Sequence, residues 1–334
     1  MAQIIRWGIL GCGKIARKFA SDLRFVEDSV LTAVAARQKE TAEAFAKEYP
    51  AAYVHEGYDA LVQNPEVDVI YIATPHSHHY ENTLLCLHNG KAVLCEKAFA
   101  VNAKQAASMI ALAKEKRLFL MEALWTKFLP HYHTVLQMIR DGKIGEIKSV
   151  TANFGFKPVP PFAQRIYDPA LAGGTMLDIG IYNVFMVLSV LGKPSSIDAV
   201  MTPAATGVDD QCAVTFTYSN GAIAQMFSSF AGNLATEAYI NGSNGRIKLC
   251  HRFYAPESVV EYYPGFIDSV EIIPNEKQEG WGYQHEAKHV GECLRAGLKE
   301  SPVVTFADTM LLMETLDAIR YKAGISYDAD KQYS

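Results

Sequence analysis

Two rhythms divide the chain. Through residue 121, short apolar runs at 4–10, 30–36, 67–73, 92–95 and 118–121 alternate with stretches of helical spacing at 15–26, 41–49, 58–63, 80–89 and 103–116. Near-continuous apolar strands separated by helices predict a parallel sheet covered on both faces, because one solvated face would leave alternate polar positions. Gly90 is placed to end one helix, and Asn102 to cap the next. These signs predict an α/β doubly wound Rossmann domain over residues 1–123.

After about Trp125 the pattern changes. Residues 130–141 read as a helix ended by Gly142, residues 147–156 as a strand, and 175–191 as a buried helix ended by Gly192. Strands are predicted at 197–201, 211–218, 222–230, 238–240 and 246–250. Ser219-Asn220-Gly221 and Ser243-Asn244-Gly245 carry the Asn-Gly pair of tight hairpins, which makes their flanking strands antiparallel. With helices near 284–298 and 306–321, residues 124–334 read as an α+β domain on a mostly antiparallel open sheet.

The 334 residues suffice for two domains, and 49% hydrophobic and 20% charged residues are ordinary for a globular protein. A net charge of −5 without a Lys/Arg block argues against a nucleic-acid or anionic-membrane partner. No apolar run approaches the roughly 18–20 residues of a membrane span. A strand pattern starting at residue 4 leaves no room for a signal peptide. Six scattered cysteines without CxxC spacing read as reduced thiols, and a cytoplasmic protein is expected.

Against this frame, Gly11-Cys12-Gly13-Lys14-Ile15-Ala16 directly follows the first strand. Gly11 suits the tight turn, Gly13 lets the backbone approach a pyrophosphate, and Ala16 replaces the third glycine where helix and strand lie close. The helix start then offers amide donors to phosphate. The second strand ends Ala36-Arg37-Gln38-Lys39, with no acid to receive ribose hydroxyls. A carboxylate would repel a 2′-phosphate, whereas Arg37 can fork to it, so NADP is expected over NAD. Thr74-Pro75 ends the third run as a turn beneath the nicotinamide ribose, with His79 in the first turn of the next helix. The histidines His76, His78 and His79 lack a further ligand at zinc spacing, so no metal is expected.

Two further groups point to proton transfer. Glu96-Lys97 ends the fourth apolar run, on the sheet rim where ligands of such folds bind. Lysine is a poor base at its ordinary pKa of about 10.4, but burial and an oxidised nicotinamide would both lower it. If the strand continues, Glu96 and Lys97 face opposite sides, so that Glu96 need not neutralise Lys97. Gly173-Gly174-Thr175 opens a greasy helix in which Asp178 and Tyr182 share a face. Trp125, Phe128, Phe154, Phe156, Phe162, Tyr167, Trp281 and Tyr283 gather in the second half and its junction. Most read as core, and a few could line a pocket for the apolar faces of a sugar or cyclic diol, with Arg165 as a polar anchor.

Together the glycine turn, Thr74-Pro75-x-x-x-His79, Glu96-Lys97 and Gly173-Gly174-…-Asp178-x-Gly180-x-Tyr182 resemble the glucose–fructose oxidoreductase/inositol dehydrogenase/MocA family over essentially the whole chain. Residues 120–128 and 165–174 are similar to its branch of dihydrodiol and NADP-dependent xylose dehydrogenases. The resemblance implies Lys97 and Tyr182 as a catalytic pair with Asp178, and Trp125, Phe154, Arg165, Asp178 and Tyr182 at the substrate. It implies a cofactor set of Gly11, Cys12, Gly13, Lys14, Ile15, Ala16, Arg37, Thr74, Pro75, His76, His79, Glu96 and Lys97. It also implies a homodimer, or a dimer of dimers, through the C-terminal sheet. The expected activity is NADP-dependent oxidation of a sugar or polyol hydroxyl; dihydrodiol oxidation and a non-catalytic NADP sensor stand as alternatives. Ala98 replaces the family's usual proline, Tyr182 its frequent histidine, and Lys127 the branch's arginine. Which sugar is used, and whether Lys97 or Tyr182 passes the proton directly, stay open.

Overall fold

The computed structural model describes residues 3–160, 162–265, 269–275 and 278–331. They form two compact units, Met1–Phe128 with Gln278–Met310 and Leu129–Lys277 with Leu311–Ser334.

In the first unit β1 (Ile5–Leu10), α1 (Lys14–Leu23), β2 (Ser29–Ala36), α2 (Lys39–Glu48), β3 (Tyr53–Glu56), α3 (Asp59–Gln63), β4 (Val69–Ile72), α4 (His79–His88), β5 (Ala92–Glu96), α5 (Ala103–Lys116) and β6 (Leu120–Ala123) alternate as expected. The six strands run β3-β2-β1-β4-β5-β6, and every neighbouring pair is parallel. The order reverses between β1 and β4, which opens a crevice at their carboxyl ends. Trp7, Ile9, Val34, Ile70, Tyr71, Val93 and Leu94 are fully buried between the helix layers. Asn102 caps α5, its side chain accepting from the Gln105 amide at 3.0 Å, while Gln105 accepts from the Val101 amide. Strand β3 was absent from the sequence pattern because it is a short, partly exposed edge strand of mixed polarity.

The second unit begins with α6 (Pro130–Arg140), β7 (Ile147–Gly155) and α7 (Phe162–Ile166). A π-helical turn, Met176–Gly180, then leads into α8 (Ile181–Leu191). Strands β8 (Ser196–Pro203), β9 (Asp209–Thr217), β10 (Ile223–Ser229), β11 (Ala238–Gly242), β12 (Gly245–Cys250), β13 (Val259–Pro264) and β14 (Glu271–Ile273) complete an eight-stranded sheet ordered β14-β13-β12-β11-β7-β10-β9-β8. Every pair is antiparallel except β7 with β10. Both Asn-Gly turns join antiparallel neighbours, as predicted. Strands β13 and β14 were not foreseen, since half-exposed strands at the end of the sheet carry no clean alternation.

Two expectations change. The stretch Pro169–Leu191 does have the length and hydropathy of a membrane span, but 78% of its most apolar window is buried within the fold. It is apolar all round because α8 packs against β7 and β10. The single boundary at residue 123/124 also gives way. Helices α9 (Tyr283–Arg295), α10 (Phe306–Ala323) and α11 (Asp328–Lys331) follow the sheet, and α9 returns to the first unit to pack on α1. Buried Asp22 of α1 accepts from the Trp281 and Tyr283 amides at 2.8–2.9 Å and so fixes the start of α9. A contact spanning some 260 residues leaves no trace in local periodicity.

Candidate active site

In the first unit a cavity of about 600 Å³ lies over the carboxyl ends of β1, β2 and β4. Gly11, Cys12 and Gly13 form one wall, Ala73, Thr74 and Pro75 another, and Ala36, Arg37 and Gln38 the far end. Gly11 has φ +96, and a Cβ there would stand 3.1 Å from the Ala73 carbonyl oxygen, so the turn needs glycine on both counts. Over Gly13 the space is open, with the Ala73 oxygen 4.0 Å from any added Cβ. That opening at the first amides of α1 fits a pyrophosphate. Ala16 is fully buried where α1 lies on the sheet; Lys14, Ile15 and Ala16 are not among the cavity's walls.

Arg37 sits at the exposed tip of β2, as expected, with Gln38, Thr41 and Tyr58 around it. Burial raises the Tyr58 phenol while the Arg37 charge draws it back, so the two side chains feel each other. Among the described lining residues there is no carboxylate. The cavity therefore fits a nicotinamide dinucleotide. Thr41, Tyr58, His78 and Asn82 were not foreseen; they come from helices and loops beside the turn and belong to no motif.

The histidines fall differently from expectation. His78 lines the cavity, whereas His76 is buried with its ring edge-on to His79. His79 is fully buried, with Nδ1 2.7 Å from the Ala98 carbonyl oxygen and Nε2 2.8 Å from that of Thr74. Burial and the nearby Lys97 charge hold its pKa down to about 4, so the neutral ring donates to one carbonyl. With both nitrogens against main chain, no ring N–H remains for a nucleotide. His79 thus clamps the end of β4 to the turn after β5, which corrects its expected place as a cofactor ligand.

Lys97 follows β5 and is partly exposed; its peptide bond to Ala98 is cis. Glu96 turns inward, accepts from the Tyr71 hydroxyl, and receives the Lys97 amide at 3.2 Å. Burial pushes Glu96 up to about 7, with Lys97 and Lys18 pulling it back. The two charges therefore do sense one another, although Glu96 itself faces the core. Glu122 on β6, whose Oε2 accepts from the Thr309 hydroxyl at 3.0 Å, is likewise raised to about 7 by burial. Glu286 on α9 is fully buried and pushed far upward, first by desolvation and then by Glu96. Behind Lys97 the first unit thus holds a group of buried carboxyls. Trp125 is also here: it is 4% exposed, and its ring stacks on Tyr283 at 4.8 Å.

In the second unit the remaining expected residues come together. Asp178 lies on the π turn and pairs with Arg165 at 3.1 Å. Tyr182 opens α8, and its ring lies 4.6 Å from Tyr254 and 5.9 Å from Phe154. Phe154 and Tyr254 stack at 4.5 Å. Burial raises the Tyr254 phenol, Arg252 draws it back, and Glu257 and Asp178 add smaller upward pushes, so Tyr254 lies within reach of the Asp178 charge as well as against the Tyr182 ring. Asn183 donates to the Phe227 carbonyl at 3.1 Å, which sets the rotation of α8 on β10. The expected plain α-helix over 175–191 instead starts as a π turn, a form that recurs at functional positions. Tyr254 was missed because it follows β12 in a loop with no motif around it.

Known proteins match both units. Residues 5–124 match "Oxidoreductase family, NAD-binding Rossmann fold", and residues 132–248 match "GFO/IDH/MocA C-terminal domain". Trans-1,2-dihydrobenzene-1,2-diol dehydrogenases from Mus musculus, Sus scrofa and Homo sapiens are 38%, 37% and 36% identical, over 98% of this chain and 99% of theirs. A 3-ketoreductase from Actinomadura kijaniata, solved with NADP and TDP-benzene, superposes with TM-score 0.87 at 27% identity, covering 96% of this chain and 98% of that one. An aldose–aldose oxidoreductase from Caulobacter crescentus, complexed with glycerol, gives TM-score 0.87 at 25% identity over the same shares. The chain belongs to the GFO/IDH/MocA family of NAD(P)-dependent oxidoreductases.

Proposed function

We propose that this dehydrogenase uses NADP to interconvert a hydroxyl of a sugar or cyclic polyol with its carbonyl or lactone, in the manner of an aldose 1-dehydrogenase. One observation carries the reading: a dinucleotide cavity with Arg37 at its ribose end and no carboxylate among the described lining residues, on the same sheet rim as Lys97. Gly11–Gly13 and the start of α1 hold the pyrophosphate, and Thr74 and Pro75 support the nicotinamide ribose. The oxidised nicotinamide, when bound, accepts the hydride.

In the oxidative direction the carbinol C–H bond breaks with its electron pair and the O–H proton leaves, giving carbonyl, NADPH and one proton. Lys97 and Tyr182 are the groups assigned to that proton. Asp178, held by Arg165, orients the substrate hydroxyls, and Phe154 with Tyr182 offers aromatic faces to the ring.

A second reading, oxidation of a trans-dihydrodiol to a catechol, is favoured by the whole-length relatives of that name. NADP⁺ reduction by purified protein, screened across aldoses, inositols and trans-1,2-dihydrobenzene-1,2-diol, separates the two. Turnover confined to the diol selects the second reading. Silence across the panel with NADPH still bound would leave a non-catalytic sensor.

The proposal extends to a homodimer built through the eight-stranded sheet. The strand register puts Val200, Ile223, Val259 and Ile272, each 45–66% exposed, on its solvent-facing side. A monomer mass by light scattering would remove that part. A cytoplasmic location is supported by six free cysteines, five of them buried; cell fractionation tests it.

A further inference from the structure

We propose that Asp209 and Asp210, consecutive at the start of β9, form a positioning frame for the Arg165–Asp178 ion pair and, through the π turn, for Tyr182. The inference rests on the reading above for Asp178 and Tyr182, and it adds residues that touch neither substrate nor cofactor.

Neighbouring residues on a strand point to opposite sides, so two successive aspartates can grip two different segments. Asp210 Oδ1 accepts the Tyr167 hydroxyl at 2.8 Å, two residues beyond Arg165. Asp209 Oδ2 accepts both the Thr175 hydroxyl and the Met176 amide at 2.6 Å, two residues before Asp178. Each limb of the ion pair is therefore anchored to the same strand end, two residues from its charged member. The limbs are also laced together, the Gly174 amide donating to the Ile166 carbonyl at 2.8 Å and the Gly173 amide to that of Asp168 at 3.0 Å. From near the end of the chain, the Tyr327 hydroxyl donates to the Gly173 carbonyl at 2.7 Å.

Local chemistry gives Asp209 little reason to be there except to hold this turn. It is fully buried, and its Oδ1 has no hydrogen-bond partner. A buried carboxylate with an idle oxygen costs stability, and such sites persist where geometry matters. Burial pushes its carboxyl up to about 6, so it is mainly ionised at neutral pH and acts as a charge-assisted acceptor, roughly twice as strong as a neutral one. Gly174, at φ +111, brings its main chain so close that any Cβ would run into this carboxylate. Asparagine at 209 keeps the shape but loses the charge, and aims an amide where no acceptor waits.

The test uses the full chain with NADP⁺, and D-xylose and trans-1,2-dihydrobenzene-1,2-diol as probes, with rates expressed per NADPH-binding site to remove any unfolded fraction. Asp209→Asn should lower kcat about 10²-fold, as expected for a small misplacement of reacting groups, with NADPH Kd unchanged. Thr175→Val and Tyr167→Phe, milder changes, should each cost about tenfold, and Asp209→Asn/Thr175→Val no more than Asp209→Asn alone because the two share one bond. Amide hydrogen exchange should quicken over residues 165–182 in each variant and stay unchanged over 5–96; this readout stands even if neither probe is turned over. Exchange over 165–182 equal to the parent's, or a kcat within about twofold in all three single variants of an active parent, would overturn the frame. Tyr182→Phe is the control. If it leaves turnover intact, the proposed role of Tyr182 fails, whereas a silent Asp209→Asn beside a disabled Tyr182→Phe removes the frame alone.

Discussion

Around the cavity of the first unit, the groups prepared for a ligand are mostly main chain: the Gly11–Gly13 turn, the first amides of α1, and the turn at Thr74 and Pro75. Arg37 is the charged exception, with Gln38, Thr41, Tyr58, His78 and Asn82 as further side chains on the walls. In the second unit the candidate site is all side chain, with Arg165 on Asp178 and Tyr182 among Phe154 and Tyr254. Backbone sites depend on φ and on what is missing from the side chains. Side-chain sites depend on which distant segments the fold brings together. The first should resist most substitutions and fail at glycine, whereas the second should fail wherever one partner is removed.

The proposed role of Lys97 is the sharpest break in that division, since it would place a side-chain function in the backbone-built unit. Lys97→Met is expected to lower kcat by about 10²–10⁴-fold while NADPH binding, followed by fluorescence, is retained. An unchanged kcat/KM would end its catalytic assignment. Tyr182→Phe should lower kcat about 10²-fold with little rise in KM, as for a contact made in the transition state. If only KM moves, Tyr182 binds substrate and does no more.

The backbone side of the comparison is tested at adjacent positions. Gly11→Val must adopt a left-handed φ against the Ala73 carbonyl, and NADPH affinity should fall at least about tenfold. Cys12→Ala should leave it within about twofold, although Cys12 lines the same cavity. Equal effects from the two would show that the turn's side chains matter as much as its backbone. Arg37→Asp should weaken NADPH by about tenfold more than NADH, since an acid there repels a 2′-phosphate. Parallel losses for both cofactors would deny Arg37 that phosphate.

The smallest effect on activity is expected at Glu122, where the change is in stability. Its carboxyl titrates near 7 in the folded chain and near its ordinary 4.5 when unfolded. Between those values the folded state holds the extra proton, so stability falls as pH rises through the window, by up to about 3 kcal/mol for this one group. Glu122→Gln removes the dependence. The Tm of the variant should therefore drop less than the parent's between pH 5 and pH 8. Matching slopes in the two proteins would place the pH sensitivity elsewhere, with Glu96 and Glu286 next to examine.

The alternation of apolar runs and helices was enough to read the doubly wound sheet, and two Asn-Gly turns were enough to read antiparallel pairing in the second unit. Elements that escaped were those with little buried surface: β3, β13 and β14 lie at or near sheet edges, where polar and apolar residues are equally tolerated. Among the candidate site residues, Gly11, Gly13, Arg37, Lys97, Asp178 and Tyr182 were legible as candidates because each sits at a fixed offset from an element boundary. His79 was visible but misread, because spacing places a ring without saying which carbonyls it meets.

By itself, then, the sequence determined whatever local sterics and periodicity control: the strand–turn–helix at Gly11–Gly13, the acid-free tip of β2, and the apolar character of buried α8. Tertiary structure alone decided that α9 and Trp125 belong with the first unit, that Arg165 holds Asp178, that Tyr254 joins Tyr182, and that Asp209 and Asp210 grip both limbs of the pair. The reason is physical. A turn or a helix face is set by torsions and neighbours a few residues away, whereas these partners lie up to some 260 residues apart, and their pairing is fixed only when two packed surfaces exclude every alternative.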